Sequence, residues 1–286
     1  MKQKILIPII ACLLFFTFGA FAQTDSLVLV STRWQTHKIA KGIVWKQFLF
    51  KGNLFNSNQS INILEIEKSK RIDYTIGYDT QVLKHTSEFG KEADALAAVN
   101  GTFFDIKKGG SVDFIKTGGR IVQVNQLNNW ERAFHQKAAV VISNGKLKIE
   151  KWNGKADWET ELKEKEIMVS GPLLIYRQLP ESLDSSSFNI TRHPRTAVLV
   201  TTSNKILLIT VDGRNENAAG MNLFELRNMV RWLNAKEAIN LDGGGSTTLW
   251  INNQPENGVV NFPCDNRKWD HVGERKVANV LLVKKK

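Results

Sequence analysis

The chain has 286 residues, a formal net charge of +11 and 42% hydrophobic residues, which is enough apolar material for its own core and long, though not prohibitive, for one domain. Its 39 Lys and Arg against 28 Asp and Glu fit an anionic substrate, but they are spread along the chain with no basic stripe and no nucleic-acid motif. Cys12 and Cys264 are the only cysteines, so a cysteine-cluster metal site is excluded and nucleic acid is not an expected partner.

In chain order, the first expected element is a removable signal peptide over residues 1–22. Lys2 and Lys4 form a positive head, an apolar run follows from Ile5 to Phe21, and Ala20-Phe21-Ala22 gives a small-x-small cleavage site before Gln23. Pro8 and Gly19 interrupt the run, which is short for a membrane span. A lipoprotein cut at Cys12 is the weaker alternative, because it leaves the apolar residues from Leu13 to Ala22 as the new terminus. Secretion to the periplasm or cell exterior is therefore expected, with Cys264 as the sole mature cysteine and no intramolecular disulfide.

A strand-rich lead-in over residues 23–95 follows. Leu27 to Ser31, Gly42 to Phe50, Ile61 to Ile66 and Arg71 to Tyr78 read as short strands. A brief helix is expected around Gln81 to Phe89, and Ala95 to Val99 reads as a buried strand. Ala138 to Ile142 and Leu147 to Ile149 form a hairpin through Asn144-Gly145, and Thr196 to Thr201 pairs with Ile206 to Val211 through Ser203-Asn204. Pro180 to His193 reads as a surface loop. Leu223, Leu226, Val230 and Leu233 recur at helical spacing and predict one long helix over Leu223 to Ala235. Ala238 to Leu241, Thr247 to Ile251 and Val277 to Val283 complete the strands. Many strands and few helices define an α+β class: a single domain on a large mixed or antiparallel β-sheet, with residues 96–286 as the catalytic region, continuous with the lead-in.

Three polar clusters follow buried strands. Asn100-Gly101-Thr102-Phe103-Phe104 and Asp212-Gly213-Arg214 are, taken alone, ordinary turn sequences. The third, Asn240-Leu241-Asp242-Gly243-Gly244-Gly245-Ser246, is more informative. Three successive glycines cost backbone entropy, and such a loop can converge its N–H groups on an anion with Asp242 at the lip. No Lys follows the glycines, so it is not a P-loop.

Together the clusters resemble the phosphodiester glycosidase family. Asn100-Gly101-Thr102-Phe103-Phe104, Ser170-Gly171-Pro172-Leu173, Pro194-Arg195-Thr196-Ala197 and Asp212-Gly213-Arg214 match its elements in order. Gly220-x-Asn222-Leu223-x-Glu225-Leu226, the glycine loop and Glu274-Arg275-x-Val277-x-Asn279 complete the series. The resemblance implies a hydrolase that cuts the bond between the anomeric carbon of an N-acetylglucosamine-type sugar and a phosphodiester, releasing sugar and phosphomonoester. Its substrate would be a sugar-phosphate or an anionic cell-envelope or host glycan. A phosphomonoester is a good leaving group, with a second pKa of about 6, so phosphate charge stabilisation and a carboxylate matter more than a strong acid.

On this reading Asp242 and Asp212 are the leading carboxylates and Arg195 the phosphate clamp, with Gly243, Gly244, Gly245 and Ser246 adding donors. Asn100, Gly101 and Arg275 position substrate. Glu225 belongs equally to the motif and to a capping box with Asn222, and His193 reads as a loop histidine of no special role. No cofactor is evident. No metal motif is present, although scattered Asp and Asn oxygens leave room for calcium or magnesium. Two other readings stand beside this one: a non-catalytic module binding anionic glycans, and a phosphodiesterase cutting the phosphorus–oxygen bond. The sequence leaves the oligomeric state open.

Overall fold

Apolar alternation in the central strands sets the architecture. In the strand Arg195–Thr201, Ala197 and Leu199 face one layer while Val198 and Val200 face another, and all are buried. A strand apolar on both faces belongs in the middle of a layered fold. The computed structural model describes residues 25–80, 82–129 and 131–286. The expected signal peptide, its cleavage site and Cys12 lie outside the described residues.

Seventeen strands are described: β1 Gln35–Ala40, β2 Ile43–Leu54, β3 Ser57–Ile66, β4 Ile72–Tyr78, β5 Ala97–Asn100, β6 Ile115–Thr117, β7 Arg120–Gln123, β8 Ala138–Ser143, β9 Lys146–Lys151, β10 Glu166–Ser170, β11 Leu173–Tyr176, β12 Leu179–Pro180, β13 Arg195–Thr201, β14 Ile206–Val211, β15 Ala235–Asn240, β16 Leu249–Ile251 and β17 Asn279–Lys285. The helices are α1 over residues 25–31, α2 Thr86–Glu92, α3 Trp158–Glu161, α4 Ser187–Ile190 and α5 Leu223–Trp232.

The strands form three sheets rather than one. The eight-stranded sheet runs β1-β2-β3-β14-β13-β15-β11-β12, the five-stranded sheet β7-β6-β10-β8-β9, and the four-stranded sheet β16-β5-β17-β4. All pairings between these strands are antiparallel. The lead-in strand β3 pairs with β14 from Ile61↔Val211 to Ile66↔Ile206, which joins the N-terminal strands to the later ones in one sheet.

One face of the eight-stranded sheet packs on the two smaller sheets through Leu64, Val198, Leu208, Ile239, Val140, Ile149 and Leu281. The opposite face is covered by α5 through Leu223, Leu226, Met229 and Val230, with Leu29 of α1 beside them. Each such side chain contributes roughly 1.5–3 kcal/mol when fully buried. Helix α2 covers the outer face of the four-stranded sheet with Phe89.

Both expected hairpins form. Asn144 and Gly145 take φ of 51° and 72°, the positive values a two-residue hairpin turn demands, and Asn204 has φ 59°. Residues 27–31 are helical rather than extended. Leu29 is the one fully buried residue of this segment, with Val28 packed partly against the same core, and the Ser31 and Thr32 hydroxyls bond back to the Leu27 and Val28 carbonyls. The helix expected from residue 81 starts at Thr86, with the Glu88 side chain accepting from the His85 N–H. Helix α5 ends at Trp232 because Asn234 turns left-handed, φ 61°, and Ala235 opens β15. The sequence reading contains no strand at β1, β6, β7, β10, β11 or β12.

Candidate active site

Antiparallel register brings the motifs to one edge. Arg195 opens β13 opposite Val211, which closes β14. Asn240 closes β15 opposite Ala197, while Asn100, closing β5, pairs with Val280 near the start of β17. Five polar clusters separated by up to about 180 positions therefore emerge together, where the eight-stranded and four-stranded sheets meet.

The glycine loop lies at the centre of this edge, with a 3-10 turn over Gly244–Ser246. The Gly243 N–H bonds Asp242 Oδ1 at 2.9 Å and the Gly244 N–H bonds the Pro194 carbonyl at 2.9 Å. Ser246 and Thr247 N–H groups return to the Gly243 and Gly244 carbonyls. Among the described hydrogen bonds this leaves Gly245 as the one N–H donor without an acceptor between Gly243 and Thr247. The expectation of a converging row of loop donors is thus corrected: a turn this tight uses them on itself.

What the glycines permit is close approach. Gly244 has φ +62°, and a Cβ there would stand 3.1 Å from Arg214 Nη2. A Cβ on Gly245 would stand 2.5 Å from Arg275 Nη2 and overlap Asp265 Oδ1. Two guanidinium groups therefore flank the bare loop. Arg275 is oriented by Asp265, to which its Nε donates at 3.0 Å, and its pKa is raised further by the carboxylates of Asp265 and Asp242. Arg214 is exposed, has φ 62°, and places Nη2 3.4 Å from His193 Nδ1. Burial, then Arg195 and Arg214, lower the His193 pKa.

Asp242 is partly exposed as a residue while protein surrounds its carboxyl. Desolvation pushes its pKa up to about 6, against the lowering effect of the Ser246 hydroxyl, the Gly243 N–H and Arg275. The Asp113 carboxylate adds to the rise. A carboxyl with its pKa raised to about 6 close to the Arg275 cation is suited to exchange a proton or to meet developing positive charge.

Other expected site residues have most of their polar atoms committed within the protein. Asn100 is buried; its Oδ1 accepts from Thr196 Oγ1 at 2.7 Å and the Thr248 N–H at 3.1 Å, and its Nδ2 donates to the Asp242 carbonyl at 2.7 Å. It ties β13, β5 and the glycine loop together rather than facing a ligand. Gly101 lies flat on Asn279, whose Oδ1 accepts from the Thr102 N–H at 2.7 Å. Asp212 is fully buried and accepts from Ser60 Oγ at 2.6 Å, Asn261 Nδ2 at 2.9 Å and the Phe262 N–H at 2.9 Å. Burial raises its pKa, and those donors hold it back.

Arg195 is corrected as a bidentate phosphate clamp. It is 1% exposed; its Nε donates to the Met221 carbonyl at 2.9 Å, and Nη2 to Phe188 at 2.7 Å and Thr191 at 2.9 Å. It braces the segment 180–193, which contains α4 and walls the cleft, so that segment is more than a surface loop. Glu225 forms the capping box. It accepts from the Asn222 N–H at 3.0 Å while the Asn222 side chain accepts from the Glu225 N–H at 2.8 Å, and Arg192 Nε donates to both of its oxygens at 3.0 Å.

The structure adds groups that sequence reasoning passed over. Arg214 stood inside a quoted motif but was overshadowed by Asp212. Asp113 and His135 fall in the stretch from Phe104 to Lys137, where no periodic signal marks an element. Partly exposed Phe103, Phe134 and Phe188 form an aromatic wall, with ring centroids 5.9 Å apart for Phe103–Phe188 and 5.7 Å for Phe134–Phe188. Among the described residues, no group of three or more His, Cys, Asp or Glu is placed to hold a metal ion. A groove of about 670 Å³ at the far end of the central strands, among Lys68, Tyr74, Lys148 and Arg177, contains none of the motif residues.

These loops and strand ends belong to a single α+β domain built on antiparallel sheets. Residues 93–284 match the phosphodiester glycosidase family, and the chain belongs to it. It is 26% identical over 215 residues, 68% of its length, to N-acetylglucosamine-1-phosphodiester alpha-N-acetylglucosaminidase of Bos taurus, and 33% identical over 101 residues, 34% of its length, to that of Mus musculus. It spans 38% and 18% of those two relatives. Among solved structures, the zebrafish catalytic domain of that name, described as auto-inhibited by its pro-peptide, has a TM-score of 0.67 at 19% identity, with 93% of each chain covered. A hypothetical protein from Synechocystis has a TM-score of 0.65 at 15% identity, covering 90% of this chain and 64% of that one. These two likenesses establish the fold. Among the described residues no helix is long and apolar enough to cross a membrane.

Proposed function

We propose that the chain is a secreted hydrolase that cleaves the bond between the anomeric carbon of an N-acetylglucosamine-type sugar and a phosphodiester. The observation that carries this reading is the pair Arg214 and Arg275 flanking a side-chain-free loop with Asp242 at its lip. Two guanidinium groups suit a phosphate diester whose charge grows as the carbon–oxygen bond breaks. The Gly245 N–H adds a neutral donor. Asp242, ionised, stabilises the positive charge that develops on the sugar ring or attacks its anomeric carbon. The aromatic wall offers an apolar face to the sugar or to the group beyond the phosphate. The relatives named for N-acetylglucosamine-1-phosphodiester support the sugar, and the positive head and apolar run of residues 1–22 support export.

The test is turnover of an N-acetylglucosamine α-1-phosphodiester by the full chain in ¹⁸O-water, with products weighed by mass spectrometry. Label in the free sugar, and loss of turnover in Asp242→Asn, support the reading. Label in a phosphate, with release of sugar 1-phosphate, moves the cut to phosphorus and overturns it. Saturable binding without turnover, with or without calcium or magnesium, favours a binding module instead.

A further inference from the structure

Asp113 and His135 lie outside every motif that marks the family here, yet Asp113 stands close enough to Asp242 to raise its pKa, and His135 lies against Asp113. His135 Nδ1 stands 3.2 Å from Asp113 Oδ1, and this nitrogen is closed off from solvent and makes no hydrogen bond, so the carboxylate is its nearest charged neighbour without being aligned on it. Asp113 itself is completely buried. Its Oδ2 accepts from Thr102 Oγ1 at 2.6 Å and its Oδ1 from Gln136 Nε2 at 2.9 Å, so the carboxylate is fixed from both sides. The ring is held as well, with Phe103 at 4.6 Å between centroids and Phe134 at 5.9 Å.

The dyad is tied to the glycine loop by a short chain of contacts. Thr102, which grips Asp113, follows Gly101, and the Gly101 carbonyl accepts from the Asp242 N–H at 3.0 Å. The Asp113 carboxylate is close enough to Asp242 to disfavour charge on it. The His135 backbone packs against Gly171, whose carbonyl accepts from Asn240 Nδ2 at 3.0 Å. A buried carboxylate beside Nδ1 selects the tautomer with hydrogen on that nitrogen and leaves Nε2 as a lone-pair acceptor. Among the described hydrogen bonds Nε2 has no partner, and the side chain is 22% exposed.

We propose that His135, oriented by Asp113, is the general base of this site, taking the proton of the water that attacks the anomeric carbon. The assignment rests on the glycosidase reading above. One water O–H bond breaks and its proton passes to Nε2. The water oxygen bonds to the anomeric carbon, either of the intact sugar phosphodiester or of a sugar–Asp242 ester. The bond from that carbon to its previous oxygen breaks, and its electron pair leaves with the phosphate or returns to the Asp242 carboxylate. A phosphomonoester leaves readily unprotonated, so the site needs a base more than an acid. Asp113 has no free lone pair aimed at substrate and acts as a positioning residue.

The experiment compares the full-length wild type, His135→Gln and Asp113→Asn on the N-acetylglucosamine α-1-phosphodiester, with ¹⁵N chemical shifts of His135 recorded in the wild type. His135→Gln is expected to lower kcat at least a hundredfold with KM within about threefold, the scale of a lost general base. Asp113→Asn is expected to lower kcat at least tenfold and to move the His135 proton between its two nitrogens. In the wild type the ¹⁵N shifts should report hydrogen on Nδ1. An active wild type with His135→Gln within threefold of it overturns the dyad and leaves the glycosidase reading intact. Hydrogen on Nε2 in the wild type also overturns the dyad, and this readout stands even where a variant fails to fold. A wild type without turnover overturns both.

Discussion

Replacing Gly245 by alanine isolates the contribution of Arg275, because the added methyl meets little else. The new Cβ would stand 2.5 Å from Arg275 Nη2 and overlap Asp265 Oδ1. Carbon and nitrogen without a bond sit at about 3.5 Å, so the guanidinium must retreat about 1 Å. Both obstructing atoms are ends of flexible side chains, and Gly245 lies outside the left-handed region, so the backbone has no reason to break. The fold loses part of a half-exposed ion pair, worth about 0–1 kcal/mol. It gains about 0.4–1 kcal/mol from the reduced entropy of the unfolded chain. The two offset, and the melting temperature should stay within about 4 °C of wild type. Activity should not survive so well, because a displacement of about 1 Å in a positioning group costs roughly 100-fold, or about 2.7 kcal/mol. Steady-state kcat/KM on the sugar phosphodiester and a thermal melt of the same preparation decide the matter. A kcat/KM within threefold of wild type would refute Arg275 as a phosphate ligand. A fall in melting temperature beyond about 10 °C would refute the claim that the loop yields only at side-chain tips.

Three further outcomes follow from the same geometry. Asn100→Ala should cost about 3 kcal/mol, from three buried hydrogen bonds at about 1 kcal/mol each, seen as a lower urea midpoint at unchanged slope. Glu225→Ala should lower stability by about 1–2 kcal/mol through loss of the capping box and the Arg192 pair, while kcat/KM stays within threefold; a hundredfold loss at unchanged stability would restore a catalytic role. Asp242 has its folded pKa raised from 3.8 to about 6, so the native state binds the proton more tightly and stability falls as pH rises from about 4 through 6. Allowing for its open side, Asp242→Asn should be on the order of 2 kcal/mol more stable than wild type at pH 8, and inactive, with the gap closing towards pH 4 in thermal melts.

Much of the fold was legible because its central strands are apolar on both faces and its hairpins carry turn residues with positive φ. Residues 138–151 and 196–211 contain both signals, and both formed as expected. The failures have a different physical origin. Residues 27–31 have the β-branched content of a strand, but a single buried Leu29 and two back-bonding hydroxyls suffice to make them helical. Strands β6 and β7 are short and half exposed, so their pairing with β10 and with each other supplies what their composition does not announce.

The site was legible as a place but not as a division of labour, and the reason lies in what a buried strand edge requires. Backbone N–H and carbonyl groups must be satisfied where strands stop, and the residues best able to do so are the Asn, Asp and Arg that also look catalytic. Asn100, Asp212, Arg195 and Asn279 spend their polar atoms on this task. Residues free to meet a substrate are those whose partners leave an atom over: Asp242 at the open lip, Arg214 and Arg275 beside the glycines, and His135 behind its buried carboxylate. A motif marks the frame and the reacting groups together because both depend on the same strand ends. Only the count of satisfied donors and acceptors separates them, and that count requires the partners that antiparallel register brings from as far as 177 positions away.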